Sequence, residues 1–235
     1  MRIPNALFLI FLTFSLPAAA TAVGEGRGNP HEQSAQPHIL PQNGFSAFGG
    51  IGTANLITSG DTGNGVEKPR PRLAGIGQFR YTRFATSQLG FSIGAGITGK
   101  GAKLEQKTDY NADYSVKLQS LFLEIPAGIV FSKDQLRIGL DVVTSFHLRT
   151  QTVTEYRAEK KTEKVTKAYW DNHRRVSVAP ALFAGWYMSV FDRSSVFGAF
   201  VFQIDIFNNF KQQTTNNYSE RFMNLMFVCG VEIGR

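Results

Sequence analysis

Cysteine is almost missing from the chain and long apolar runs are missing beyond its start, and both absences narrow the field before any motif is read. The single Cys229 allows no internal disulfide, and its place far from the N-terminus excludes a lipid-modified N-terminal cysteine. After Leu16 no stretch approaches the roughly 20 uninterrupted apolar residues a membrane helix needs, so any segment that crosses a bilayer must cross as a strand. Charge is scarce as well, at 18% of 235 residues against 43% hydrophobic and 12% aromatic. Histidines His31, His38 and His173 fall in polar stretches with no metal-ligand spacing, so no metal centre is expected.

What is present starts with a leader. Arg2 supplies a positive end, Leu7 to Leu16 an apolar core and Ala20-Thr21-Ala22 a small-residue cleavage site, so residues 1–22 read as a signal peptide. Its removal takes away one charge, Arg2, and leaves the net charge at +6 rather than +7. Residues 23–43 mix Gly, Pro, Gln and His with little apolar content and read as a flexible periplasmic tail. From residue 44 to 235 the pattern changes to strict alternation. Leu121, Leu123, Ile125, Ala127, Ile129 and Phe131 share one face of a strand, and Leu136, Ile138, Leu140, Val142, Thr144, Phe146 and Leu148 share one face of the next. A four-residue turn, Ser132 to Gln135, separates them, and placing Phe131 opposite Leu136 keeps both apolar sets on one side.

The same period of two recurs in eight segments, at about 44–56, 72–84, 89–106, 117–131, 136–153, 174–190, 195–209 and 221–234. Connections between them alternate long and short. That alternation predicts an all-β, eight-stranded, antiparallel up-and-down transmembrane barrel in the outer membrane, with short turns and both ends in the periplasm. Aromatics beside the short turns, Phe84, Phe131, Trp186, Tyr187 and Phe191, are expected to form an interfacial girdle. The third and fifth strands exceed the ~9–11 residues needed to cross, so their surplus should project as a sheet extension. Pro126 removes a ladder hydrogen bond, and a local bulge is expected there.

The candidate sites follow from the faces. An eight-stranded barrel holds little more than side chains, so inward charges must pair. The expected lumen cluster is Arg80, Lys100, Glu124, Arg137, Asp141, His147, Arg149, Asp205 and Glu232. Ser145, His147 and Asp141 share a face, but same-face residues lie ~6.6 Å apart along a strand, too far for direct nucleophile–base contact. Gly94 to Gly99 matches a dinucleotide fingerprint, yet a polar loop follows where a helix is required, so no cofactor is expected. Residues 157–175 carry seven basic residues, and Lys160, Lys161, Lys164 and Lys167 are the candidate loop contacts to lipopolysaccharide phosphates or an acidic envelope protein. Nothing reads a nucleic acid.

Gly99-Lys100-Gly101-Ala102-Lys103, followed after a polar loop by Leu123-Glu124-Ile125-Pro126, resembles the PorT-like outer-membrane β-barrel family of Bacteroidota. That family carries a "KGA" near one strand end and a "LEIP" on the next strand. The resemblance implies an eight-stranded outer-membrane barrel, and the family's name-giving member is an accessory of a protein secretion system. It brings no catalytic residues. The expected role is therefore a non-enzymatic envelope scaffold or secretion accessory in contact with outer-membrane lipid, with a lipid-modifying enzyme or a small pore as the alternatives.

Overall fold

Period-two alternation becomes nine strands: β1 (Asn43–Ser59), β2 (Arg72–Phe84), β3 (Leu89–Gln106), β4 (Tyr114–Lys133), β5 (Leu136–Tyr156), β6 (Lys161–Lys167), β7 (Val176–Phe191), β8 (Ser194–Ile204) and β9 (Ser219–Gly234). The computed structural model describes residues 43–59, 69–106, 114–156, 161–167, 174–191, 193–207 and 219–234, all within the unit Ile39–Arg235. The expected signal peptide and all of the expected tail except Asn43 lie outside the described residues, as do the chain segment at Lys160 and the side chain of Lys167. Every pairing is antiparallel. β1, β2, β3, β4, β5, β7, β8 and β9 form a closed ring of eight, shut by β1–β9 and β4–β5. No sheet edge is left at membrane depth, which hydrocarbon requires because it offers backbone groups no partner.

The outer wall is apolar. Ile93, Ile97, Ile125, Ile129, Leu140, Val142, Phe200 and Phe227 all stand exposed on it. Such a continuous exposed band is untenable in water and suited to lipid. The barrel is a transmembrane one, as the alternation implies. The expected extension also forms: β3, β4 and β5 run to 18, 20 and 21 residues and continue beyond the band as a sheet.

Four details differ from expectation. The turn between β4 and β5 holds two residues, Asp134 and Gln135, with Asp134 at φ 53° and Lys133 opposite Leu136. Phe131 therefore pairs with Ile138, two residues from the expected register, and because the side-chain period is two this slip leaves every face unchanged. The long connection after β5 contains β6, paired with Thr150–Tyr156, so Lys161, Lys164 and Lys167 belong to a strand. Pro126 causes no bulge. The β3–β4 ladder skips Gly94 and Ala95 opposite it and resumes in register, since the ring costs only the bond its missing N–H would have made. The bulge lies elsewhere, where Leu121 faces Arg149 and Phe122 faces His147, leaving Leu148 as the extra residue. Beyond it the facing of β5 reverses.

Candidate functional site

Of the charges the sequence nominates, Arg80, Lys100, Glu124, Arg137, Asp141, Asp205 and Glu232 lie buried in the lumen. Lys100 Nζ lies 3.3 Å from Glu124 Oε1 and 3.1 Å from Asp205 Oδ1, and it donates to Ser145 Oγ at 3.2 Å. Glu124 also accepts from Thr98 at 2.6 Å, Gln203 at 3.0 Å, Ser145 at 3.0 Å and Gln78 at 3.4 Å. Arg80 donates to Asp141 at 2.6 Å, and Ser92 donates to the other Asp141 oxygen at 3.3 Å. The Gln78 amide joins the two groups, accepting from Arg80 at 3.1 and 3.2 Å while donating to Glu124. Nearer the short turns, Arg137 Nη1 donates to Glu232 Oε2 at 2.6 Å.

Each buried cation also rests on aromatic faces. Arg80 lies over Phe48 and Phe183, Lys100 over Phe122, and Arg137 over Tyr187 and Phe84. The lumen is thus not uniformly polar. Phe48, Ile76, Phe183, Tyr187, Phe197, Met226 and Val228 form an apolar cluster inside it, because rings attract the cations and fill space that a purely polar lumen would leave to water. Tyr187, buried and stacked on Phe197, and Phe84, beneath Arg137, therefore leave the expected girdle. Trp186, Phe131 and Phe191 remain on the outer wall. Small residues make the room: a Cβ at Gly94 would press on Arg80 and Phe79, and one at Gly128 would lie 2.5 Å from Asp141 Oδ1.

Arg149 is the nominated residue that the structure excludes. The bulge turns it onto the outer wall, where it is exposed beside Leu148. His147 faces inward but caps the far end of the lumen, stacked on Phe122 at 4.9 Å with Nε2 2.6 Å from Thr150 Oγ1. Asp141 is held by Arg80, Ser145 by Lys100 and Glu124, and His147 by Thr150, so these three engage different neighbours. Gln78, Thr98, Gln203 and Ser92 were not nominated, although their inward parity on strands β2, β3 and β8 marks them. A cavity among Ser46, Thr82, Ser92, Arg80 and Arg137 measures ≈ 10 Å³, about the room of a single water.

Beyond the membrane band the extension carries its own polar set. Lys117 Nζ bonds Glu155 Oε1 at 2.5 Å, Ser115 donates to the same carboxylate at 3.4 Å, and the Lys117 hydrogen bond is the largest cause holding the Glu155 carboxyl below its ordinary range. Lys161 pairs with Glu163 at 2.9 Å on the opposite face from Lys164. Among the described residues no cluster of metal-ligating side chains occurs.

No protein-family model and no curated protein matches the sequence. Solved structures do match. The outer membrane protein OprG from Pseudomonas aeruginosa shares 10% identity at TM-score 0.42, covering 84% of this chain and 98% of that one. The outer membrane protease OmpT from Escherichia coli shares 10% at TM-score 0.41, covering 82% and 97%. Ail, the attachment invasion locus protein of Yersinia pestis, shares 12% at TM-score 0.38, covering 82% and 99%. At these identities the likeness is one of barrel architecture alone, and the fold rests on the closed strand pairing itself.

Proposed function

We propose that this outer-membrane barrel is a non-catalytic envelope scaffold or protein-secretion accessory whose working surfaces stand outside the bilayer. One observation carries the reading: Lys100, Glu124, Asp205, Arg80, Asp141 and Gln78 occupy the lumen and engage one another, so the interior is given to packing rather than to a substrate or an ion. The resemblance of Gly99–Lys103 and Leu123–Pro126 to the PorT-like family supports the accessory role. In this reading residues 1–22 are removed on export, the short turns face the periplasm, and the β3–β6 extension faces outward.

The test compares rescue of a deletion phenotype. Ser145→Ala and His147→Ala, inserted at normal level, are expected to rescue fully, and loss of rescue by either would favour an enzyme and refute the scaffold. Changing Lys160, Lys161, Lys164 and Lys167 together to Gln is expected to leave folding intact while weakening rescue in a salt-dependent way. A steady conductance of the wild type in planar bilayers would instead establish a pore. Orientation is checked separately in a Cys229→Ser background, where Lys164→Cys is expected to label on intact cells and Lys133→Cys is not.

A further inference from the structure

The sheet extension aligns basic residues across its strands. Arg70 and Lys103 exchange backbone hydrogen bonds of 2.8 and 3.0 Å, Lys103 stands opposite Lys117, Lys117 opposite Val153, and Val153 opposite Lys164. Directly opposed residues share a face, so Arg70, Lys103, Lys117 and Lys164 form one row, spanning roughly 19 Å at ~4.8 Å per strand. That face continues the outer wall, because Lys117 has the parity of Leu121 and Leu123.

The bulge decides which residues join the row. With the facing of β5 reversed after Leu148, Val153 and Lys164 fall beside Lys117; without it Thr152 and Val165 would take those places. The same bulge puts Arg149 on the wall below the row. Opposed like charges such as Lys103 and Lys117 repel. Glu155 answers both, hydrogen-bonded to Lys117 and electrostatically coupled to Lys103, and among the described side chains of this face positive charge stays in excess.

Depth identifies the ligand. On β4 the last apolar wall position is Leu121, and the row lies four residues beyond it, ~13 Å along the strand and ~9 Å along the membrane normal at a tilt near 45°. This is the depth of lipid headgroups, and the side chains face sideways toward neighbouring lipid. We propose that Arg70, Lys103, Lys117 and Lys164, with Arg149 beneath, bind the phosphate groups of a phosphorylated glycolipid in the adjoining leaflet. The inference rests on the outward orientation of the extension proposed above, and binding in detergent tests it independently of that orientation and of any cellular phenotype.

The whole barrel in detergent is titrated with diphosphoryl lipid A, with dephosphorylated lipid A and with heparin as a soluble polyanion. Diphosphoryl lipid A is expected to bind about tenfold tighter than the dephosphorylated form, and Lys103→Gln/Lys117→Gln/Lys164→Gln is expected to abolish that preference, as loss of about three exposed ion pairs implies. Lys161→Gln, on the opposite face, should keep it. Unchanged heat-dependent gel migration verifies folding, and Lys164→Gln alone, at the sheet margin, is expected to give a partial loss should the triple variant fail to fold. Equal affinity for the two lipids, retention of the preference by the folded triple variant or by Lys164→Gln, or tighter binding of heparin than of lipid A would overturn the proposal.

Discussion

Two charged centres in the same lumen are held in different ways. Around Lys100 and Glu124 the polar groups saturate one another, with Asp205, Ser145, Gln203, Thr98 and Gln78 all engaged. Around Arg137 and Glu232 there is one short ion pair, while Arg137 Nε and Nη2 and Glu232 Oε1 are buried without a hydrogen-bond partner. Aromatic cover takes the place of further bonds there, with the Tyr187 ring centroid 4.1 Å from the Arg137 guanidinium. A networked charge is costly to remove even with its partner, because its other neighbours are orphaned. An isolated pair under rings is costly to break but not to replace as a whole.

The largest effect should come from the saturated centre. Lys100→Met/Glu124→Met is expected to destabilise by ~3–5 kcal/mol, since Asp205, Gln203 and Thr98 lose partners in a packed lumen. Urea unfolding from lipid vesicles measures it, and a cost below about 1 kcal/mol would mean that the network contributes little. Next comes the wall. Val142→Arg, at mid-band, should cost ~2–4 kcal/mol, whereas Arg149→Leu at the upper boundary should cost ~0–1. If Val142→Arg proved neutral in the same assay, the apolar band would not lie in hydrocarbon.

The isolated pair gives a smaller net change. Arg137→Met and Glu232→Met should each cost ~3–5 kcal/mol singly, yet the double variant should fall within about 1 kcal/mol of wild type. Additive losses would show that Arg137 and Glu232 have partners beyond each other. The smallest effect concerns the extension. Because the folded Glu155 carboxyl titrates below its ordinary range, its support is present above that range and is lost as pH falls through the lowered value. Amide protection in β5 and β6, taken relative to the intrinsic exchange rate at each pH, should therefore fall on acidification, and Glu155→Gln should erase that dependence.

Much of this was readable in the residues. Period-two alternation fixes which side chains meet lipid, and it survives a misjudged register: Ile129 pairs with Leu140 rather than Ile138, yet both face outward because the slip is of two residues. Strand limits follow from the same pattern, as at β2 and β3, while β6 leaves no such mark because Lys161–Lys167 shows no sustained apolar alternation. The inward parity of Arg80, Lys100 and Glu124 was legible too.

Their partners were not. Lys100 meets Asp205 across 105 positions of sequence and Arg137 meets Glu232 across 95, and strand order alone does not fix the height of each residue in the lumen. Nor did the sequence disclose the bulge at Leu148, since Thr150 to Tyr156 carries too little apolar contrast to show the reversal. Local chemistry determined the faces, because each residue's solvent is set by its own parity. Closure of the ring decided the pairs and the outward turn of Arg149, because both depend on where distant strands come to lie against one another.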